Sequence, residues 1–195
     1  WKNRIKPGGV IDVIDNTLQS KVSEMRKSGL NIMMSMKQDA KPVSFIEDCA
    51  VELKDLAEYT DGLNKIFDKY NTKGTWYAHA SVGCLHVRPV LNMKLQEDVS
   101  KMRNIANETS TLVKKFNGSY SGEHGDGIAR SEFNEVMFGK NMNNLFITIK
   151  KSFDPNNIFN PGKIIDAPKM DSRDLFRYAP SYNAENIETL LDWSS

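Results

Sequence analysis

Two of the three histidines in this chain stand in one stretch, Tyr77 to Pro89, "YAHASVGCLHVRP". They lie symmetrically about Val82-Gly83. A two-residue turn at that dipeptide would set His79 directly opposite His86 on one face of a hairpin, with Cβ atoms ~4.5–5.5 Å apart. Two neutral imidazoles so placed can converge on one metal ion; the plainer alternative is a cross-strand ring pair with no ligand. The third histidine lies in "SGEHGDG", Ser121 to Gly127, where Glu123 and His124 are flanked by glycines that permit turns and close approach to a ligand. A carboxylate beside the pair would give a two-histidine, one-carboxylate set with open positions, suited to zinc, manganese or iron. Neighbouring residues on a strand point to opposite faces. Glu123 and His124 should therefore divide the work unless the chain turns there, one ligating and the other doing something else. The plainer alternative here is an Asp/Gly-rich surface loop. "GEHGDG" lacks the Gly-Lys-Ser/Thr ending of a phosphate loop, and no βαβ context precedes it.

The elements that must position these residues follow from periodicity. Leu18 to about Lys37 suggests a helix followed by a Met-rich extended piece, "LNIMMSM". "PVSFIEDCAV", from Pro42, is short and apolar enough for a strand. Leu53, Leu56, Thr60, Leu63, Ile66, Phe67 and Tyr70 share one helix face. "TWYAHAS" and "CLHVRPVL" read as strands joined at Val82-Gly83. Val99, Met102, Ile105, Ala106, Thr109, Leu112, Val113 and Phe116 form the stripe of a second helix, stopped by Asn117-Gly118. "SYSGE" reads as a last strand, and helices are expected over 131–139 and 141–152. The fold class is thus α+β: an antiparallel sheet with helices on one face, in the ferredoxin-like β-α-β-β-α-β order, plus C-terminal helices and a tail. Residues 1–165 read as one domain and 166–195 as an extended tail or linker that packs on something.

Lys and Arg (26) nearly balance Asp and Glu (25), for a net charge of +1. Nothing in that balance asks for nucleic acid or an anionic membrane as partner. No apolar run approaches the ~20 residues of a membrane span, and no signal peptide is visible. Two cysteines, Cys49 and Cys84, make no disulfide framework, which points to a reducing compartment such as the cytoplasm. A start at Trp1 and an end at "LLDWSS" read as a piece of a longer protein.

Three motifs, "YAHASVGCLHVRP", "SGEHGDGIARSEF" and "FDPNNIFNPGKII", resemble the C-terminal domain of FAD-linked oxidases, the group of D-lactate, glycolate and D-2-hydroxyglutarate dehydrogenases. "AKPVSFIEDCAV" and "DAPKMDSRDLFRYAP" resemble the branch that continues into an iron–sulfur domain. The resemblance implies a substrate and metal domain covering an FAD held by a separate domain absent from this chain. A 4Fe-4S cluster would belong only to the full-length protein. It also implies His79, His86 and Glu123 as ligands of a divalent metal, zinc or manganese, and His124 as the active-site base. The implied reaction oxidises a D-2-hydroxy acid, lactate- or 2-hydroxyglutarate-like, by hydride transfer to flavin. A cation must then hold the substrate carboxylate, and Arg26, Lys41 and Arg88 are the candidates. Lys163 of "NPGK" is expected at the flavin edge or in the turn itself. A peripheral seat on the inner face of a membrane and homo-oligomerisation are left open.

The chain departs from the family at places. Many relatives carry H-x-G-D-G-N-L-H where this chain has H-A-S-V-G-C-L-H, and Asn where it has Arg88. Both departures point to a different substrate pocket. Ser23 stands where a Trp often precedes the arginine of Arg26. The competing functions are a non-catalytic metal-binding module of ferredoxin-like type and a metal-dependent hydrolase with Glu123 as base. The hydrolase has no H-E-x-x-H helix to support it.

Overall fold

The structure is a computed structural model that describes residues 11–179 together with Tyr182 and Leu190. It divides into two units, one ending at Lys37 and the other beginning at Gln38. The first holds helix α1, Asn16–Met34, capped by Asp15, whose carboxylate accepts from the Leu18 N–H at 2.7 Å. The helix runs on through the segment expected to be extended, as far as Met34. Methionine and leucine lose little rotamer freedom in a helix, so a Met-rich run prolongs one readily.

The second unit carries the sheet. Strand β4, Cys84–Leu91, is central. Along one edge it pairs antiparallel with β3, Gly74–His79. Cys84 and Leu85 pair with His79 and Ala78 on that edge, so β2, Cys49–Ala50, takes the other. Further along, β1, Lys41–Pro42, pairs with Leu91 and Val90. There the Val43 N–H donates to the Pro89 carbonyl, whereas the Val90 N–H turns the opposite way, to Lys73. The strand expected from Pro42 to Val51 is therefore split, and residues 43–48 leave the ladder. "SYSGE" reduces to a single bridge, Ser119 to Ala50. The spatial order Ser119, β2, β4, β3, antiparallel throughout, is the ferredoxin-like arrangement.

Side-chain alternation along β4 makes the two faces different. Leu85, Val87 and Leu91 point into the core. There they join Tyr59, Leu63, Ile66 and Phe67 of α2 (Leu56–Lys69) and Val99, Met102, Ile105 and Val113 of α3 (Gln96–Lys115). Leu53 lies before α2 and is exposed; Tyr59 fills the core position instead. Cys84, His86 and Arg88 point to the other face.

After the last bridge come α4, Gly127–Arg130; α5, Asn134–Phe138; and α6, Lys140–Phe153. The first part of the tail packs down. Met170 is buried in the core, Asp171 pairs with Arg103, and Arg173 donates to the Met93 carbonyl at 3.0 Å. Among the described residues no helix is long and apolar enough to cross a membrane.

Candidate metal and substrate site

The β3–β4 connection is longer than the two-residue turn expected from sequence. A 3-10 turn at Ala80–Val82 leads into Gly83 at φ +73°. A Cβ on Gly83 would lie 1.9 Å from the Val51 carbonyl oxygen, so only glycine fits. The register shifts with the turn. Tyr77 stands opposite His86, and His79 opposite Cys84. His79 and His86 are diagonal neighbours rather than a direct pair. Because the shift is by two residues, both rings stay on the same face. Their centroids are 5.0 Å apart.

Glu123 completes the group. Its Oε2 lies 3.5 Å from His86 Nε2 and 3.9 Å from His79 Nε2. One donor atom from each of the three lies within 4.8 Å of the others, a spread one cation can bridge. The His86 ring lies 3.1 Å, through Nδ1, from the main-chain carbonyl oxygen of Glu47. A carbonyl only accepts, so Nδ1 carries the proton and the Nε2 lone pair faces Glu123. That is the tautomer a metal ligand needs, and the donor set fits a divalent ion. His86 is 8% exposed, while His79 (45%) and Glu123 (37%) are open to solvent, so the cluster is closed on one side only.

The chain bends through 121–124 rather than continuing as a strand. Glu123 and His124 therefore reach the same place, with His124 Nε2 3.9 Å from the same Glu123 oxygen. The His124 ring stacks on His86 at 5.3 Å. The bend is held by Asp48, which is fully buried. Its Oδ2 accepts from the Glu123 N–H at 2.9 Å and the His124 N–H at 2.7 Å. Its Oδ1 pairs with Arg130, which also donates to the Gly125 carbonyl. Gly122 passes so close that a Cβ there would lie 2.7 Å from the Asp48 carbonyl.

Arg88 shares the face of His86, as its spacing predicts. Its Nε and one Nη already reach Glu47 Oε2, at 2.8 and 2.6 Å. The other Glu47 oxygen lies 3.0 Å from His124 Nδ1. Burial pushes the Glu47 carboxyl upward, but Arg88 and His124 outweigh it and hold it below its ordinary value of 4.5. Cys84 is a small buried residue beside the turn. Burial raises its thiol to about 11, and the Glu123 carboxylate adds to the effect.

Two other expected site residues of the second unit line separate clefts. Lys41 pairs with Leu91 at the far end of β4 and lines a cleft with Asp39, Lys94 and Tyr178. Lys163 lines an apolar cavity of about 700 Å³ with Phe146, Ile149, Phe153 and Phe159, walled on one side by Gly125–Gly127. Arg26 is on the exposed surface of α1, in the first unit. Sequence reasoning passed over Glu47, Asp48 and Arg130. The signal was there: two successive carboxylates inside the apolar run "SFIEDCAV" must find buried partners.

The family profile described as "FAD linked oxidases, C-terminal domain" matches residues 7–164. This chain belongs to that family. As an FAD-linked oxidase C-terminal domain it is similar to a D-2-hydroxyglutarate dehydrogenase of Haemophilus influenzae, 36% identical over 154 residues. The match covers 79% of this chain and 15% of that protein. A D-2-hydroxyglutarate dehydrogenase of Escherichia coli is 34% identical over 155 residues, with 77% of this chain and 15% of the relative covered. A D-lactate dehydrogenase of Archaeoglobus fulgidus is 29% identical over 157 residues, with 80% and 34% covered. The FAD-linked oxidase C-terminal domain thus spans about 15% of the length of these D-2-hydroxyglutarate dehydrogenases.

Proposed function

We propose that this chain is the substrate- and metal-binding part of an FAD-dependent dehydrogenase that oxidises a D-2-hydroxy acid to the 2-oxo acid. The observation that carries this reading is the convergence of His79, His86 and Glu123, with His124 Nε2 facing the same carboxylate. His79, His86 and Glu123 would hold one divalent cation, zinc or manganese. When bound, that cation would lower the pKa of the substrate hydroxyl and fix its orientation. The flavin, held mainly by another domain, would accept the hydride. His124 takes the hydroxyl proton at Nε2, as a general base within reach of the bound hydroxyl. Stacking on His86 holds that ring in place. Lys41 and Arg26 remain the candidate partners of the substrate carboxylate. Arg88 lies on the His86 face of β4 but is already committed to Glu47. Lys163, in its apolar cavity beside Gly125–Gly127, is proposed to meet the flavin edge.

In this reading residues 1–165 form the substrate domain, and 166–195 lead on as tail or linker. The FAD-binding and iron–sulfur domains lie in the remainder of a longer protein, in the cytoplasm or on the inner face of a membrane. The greater length of the relatives supports that division. A non-catalytic metal module would more often close its ion with four protein ligands; the half-exposed His79 and Glu123 argue for an open site.

The test is metal analysis of the purified chain with flavin and turnover assays on the full-length protein. We expect one zinc or manganese per chain, with affinity reduced more than ~100-fold by His86→Ala, beyond the 10–100-fold typical of outer-shell changes. The full-length protein should carry flavin, and a D-2-hydroxy acid should bleach it, while this chain alone should not turn over. A flavin-free full-length protein, or metal binding indifferent to His86, would end the proposal.

A further inference from the structure

Glu47 touches two imidazoles, the buried His86 and the more exposed His124, in different ways. Its main-chain carbonyl oxygen lies 3.1 Å from His86 Nδ1, and its carboxylate Oε1 lies 3.0 Å from His124 Nδ1. The second carboxylate oxygen is taken by Arg88 through Nε and an Nη. Both side chains of this pair are largely shielded, at 16% and 15% exposure. An Arg-carboxylate contact made with two nitrogens fixes orientation as well as charge. The Glu47 carboxylate is therefore aimed, and its free oxygen is aimed at His124.

We propose that Glu47 is a positioning residue that fixes His124 as its Nδ1–H tautomer, with Arg88 serving to hold Glu47 rather than to grip substrate. An ionised carboxylate only accepts, so the His124 nitrogen facing it must carry the proton. The Nε2 lone pair then points toward Glu123, where a substrate hydroxyl would be presented. The same main-chain segment sets His86 through a carbonyl that no side-chain replacement removes. The detour of residues 43–48 out of the sheet ladder is what brings Glu47 here, against the Nδ1 atoms of two stacked rings. In its consequence for turnover this inference rests on the function proposed above; the tautomer itself does not.

Nitrogen-15 NMR of the imidazoles in this chain, free of metal, separates the two. In the unaltered chain both His86 and His124 should show the Nδ1–H signature. In Glu47→Ala, His124 should lose that signature while His86 keeps it, because only the side-chain bond is gone. In the full-length flavoprotein, Glu47→Ala should lower kcat by ~100-fold or more, the scale of losing a general base. KM should stay within about threefold, since no substrate contact is removed. Glu47→Gln, which keeps an acceptor oxygen, should recover part of kcat. An Nε2–H tautomer at His124 in the unaltered chain overturns the proposal, and that spectrum decides even if the alanine variant does not fold. So does a His124 tautomer unmoved by Glu47→Ala, or a loss confined to KM. If the tautomers behave as expected but the full-length protein does not oxidise 2-hydroxy acids, the functional reading fails and this one stands.

Discussion

Two loops of this protein use the same device to different ends. At 121–125 the buried Asp48 accepts from two successive N–H groups, of Glu123 and His124, and pairs with Arg130. At 154–159 the buried Asp154 accepts from two successive N–H groups, of Ile158 and Phe159, each at 2.9 Å, and pairs with Lys150. In the second loop the aspartate lies within five residues of everything it holds, and the turn is local. In the first, the aspartate comes from 75 residues upstream. The local device presents Ile158 and Phe159 to solvent, 67% and 69% exposed. The non-local device delivers a carboxylate and an imidazole to the sheet face that already holds two histidines. The chemistry of anchoring is alike; the reach of the anchor decides whether it builds a loop or a site.

Removing each anchor should show the difference most strongly. Asp48→Ala leaves Arg130 buried without its partner, which costs ~3–5 kcal/mol. We expect a large drop in the urea midpoint and loss of metal binding together, because Glu123 is released. Asp154→Ala should shift the midpoint less and leave metal affinity unchanged. Equal effects of the two variants would break the contrast.

Glycine substitutions sharpen it at intermediate size. Gly122→Ala forces a Cβ to within 2.7 Å of the Asp48 carbonyl, so the loop must move off its anchor. The expected cost is ~1–3 kcal/mol, as for overpacking, with weaker metal binding. Gly162→Ala, at φ +71° but with its nearest neighbours 3.8 Å away, should show only the left-handed backbone penalty of ~1–2 kcal/mol. Its metal affinity should not change.

The smallest effect is on acid stability. Glu47 is held below 4.5, so its contribution is complete above that value and fades as pH falls through the lower folded value. The stability advantage of the unaltered chain over Glu47→Gln, read from urea midpoints between pH 7 and 3, should therefore shrink in the acid range. An advantage that grows on acidification would contradict the sign.

What the sequence by itself determined follows from interactions within reach along the chain. The stripe of α3 was legible because one helix face repeats every few residues. The shared face of His79, His86 and Arg88 survived a wrong turn length, because an even register shift leaves strand alternation unchanged. The glycine at 83 was legible as the turn residue. Helix α1 runs past its expected end because the Met-rich run has a local helix propensity of its own.

Only the tertiary structure decided the rest, and for one reason: the deciding partners lie far apart in sequence. The split of the Pro42–Val51 strand became visible only once β4 offered an edge on which Lys41 and Cys49 pair at separate points. Glu123 and His124 face the same site because Asp48 bends the chain beneath them. Arg88 looked like a free cation until Glu47, 41 residues earlier, was placed beside it. Periodicity reports which way a side chain points, but what a buried charge meets is set by which segments the fold brings together.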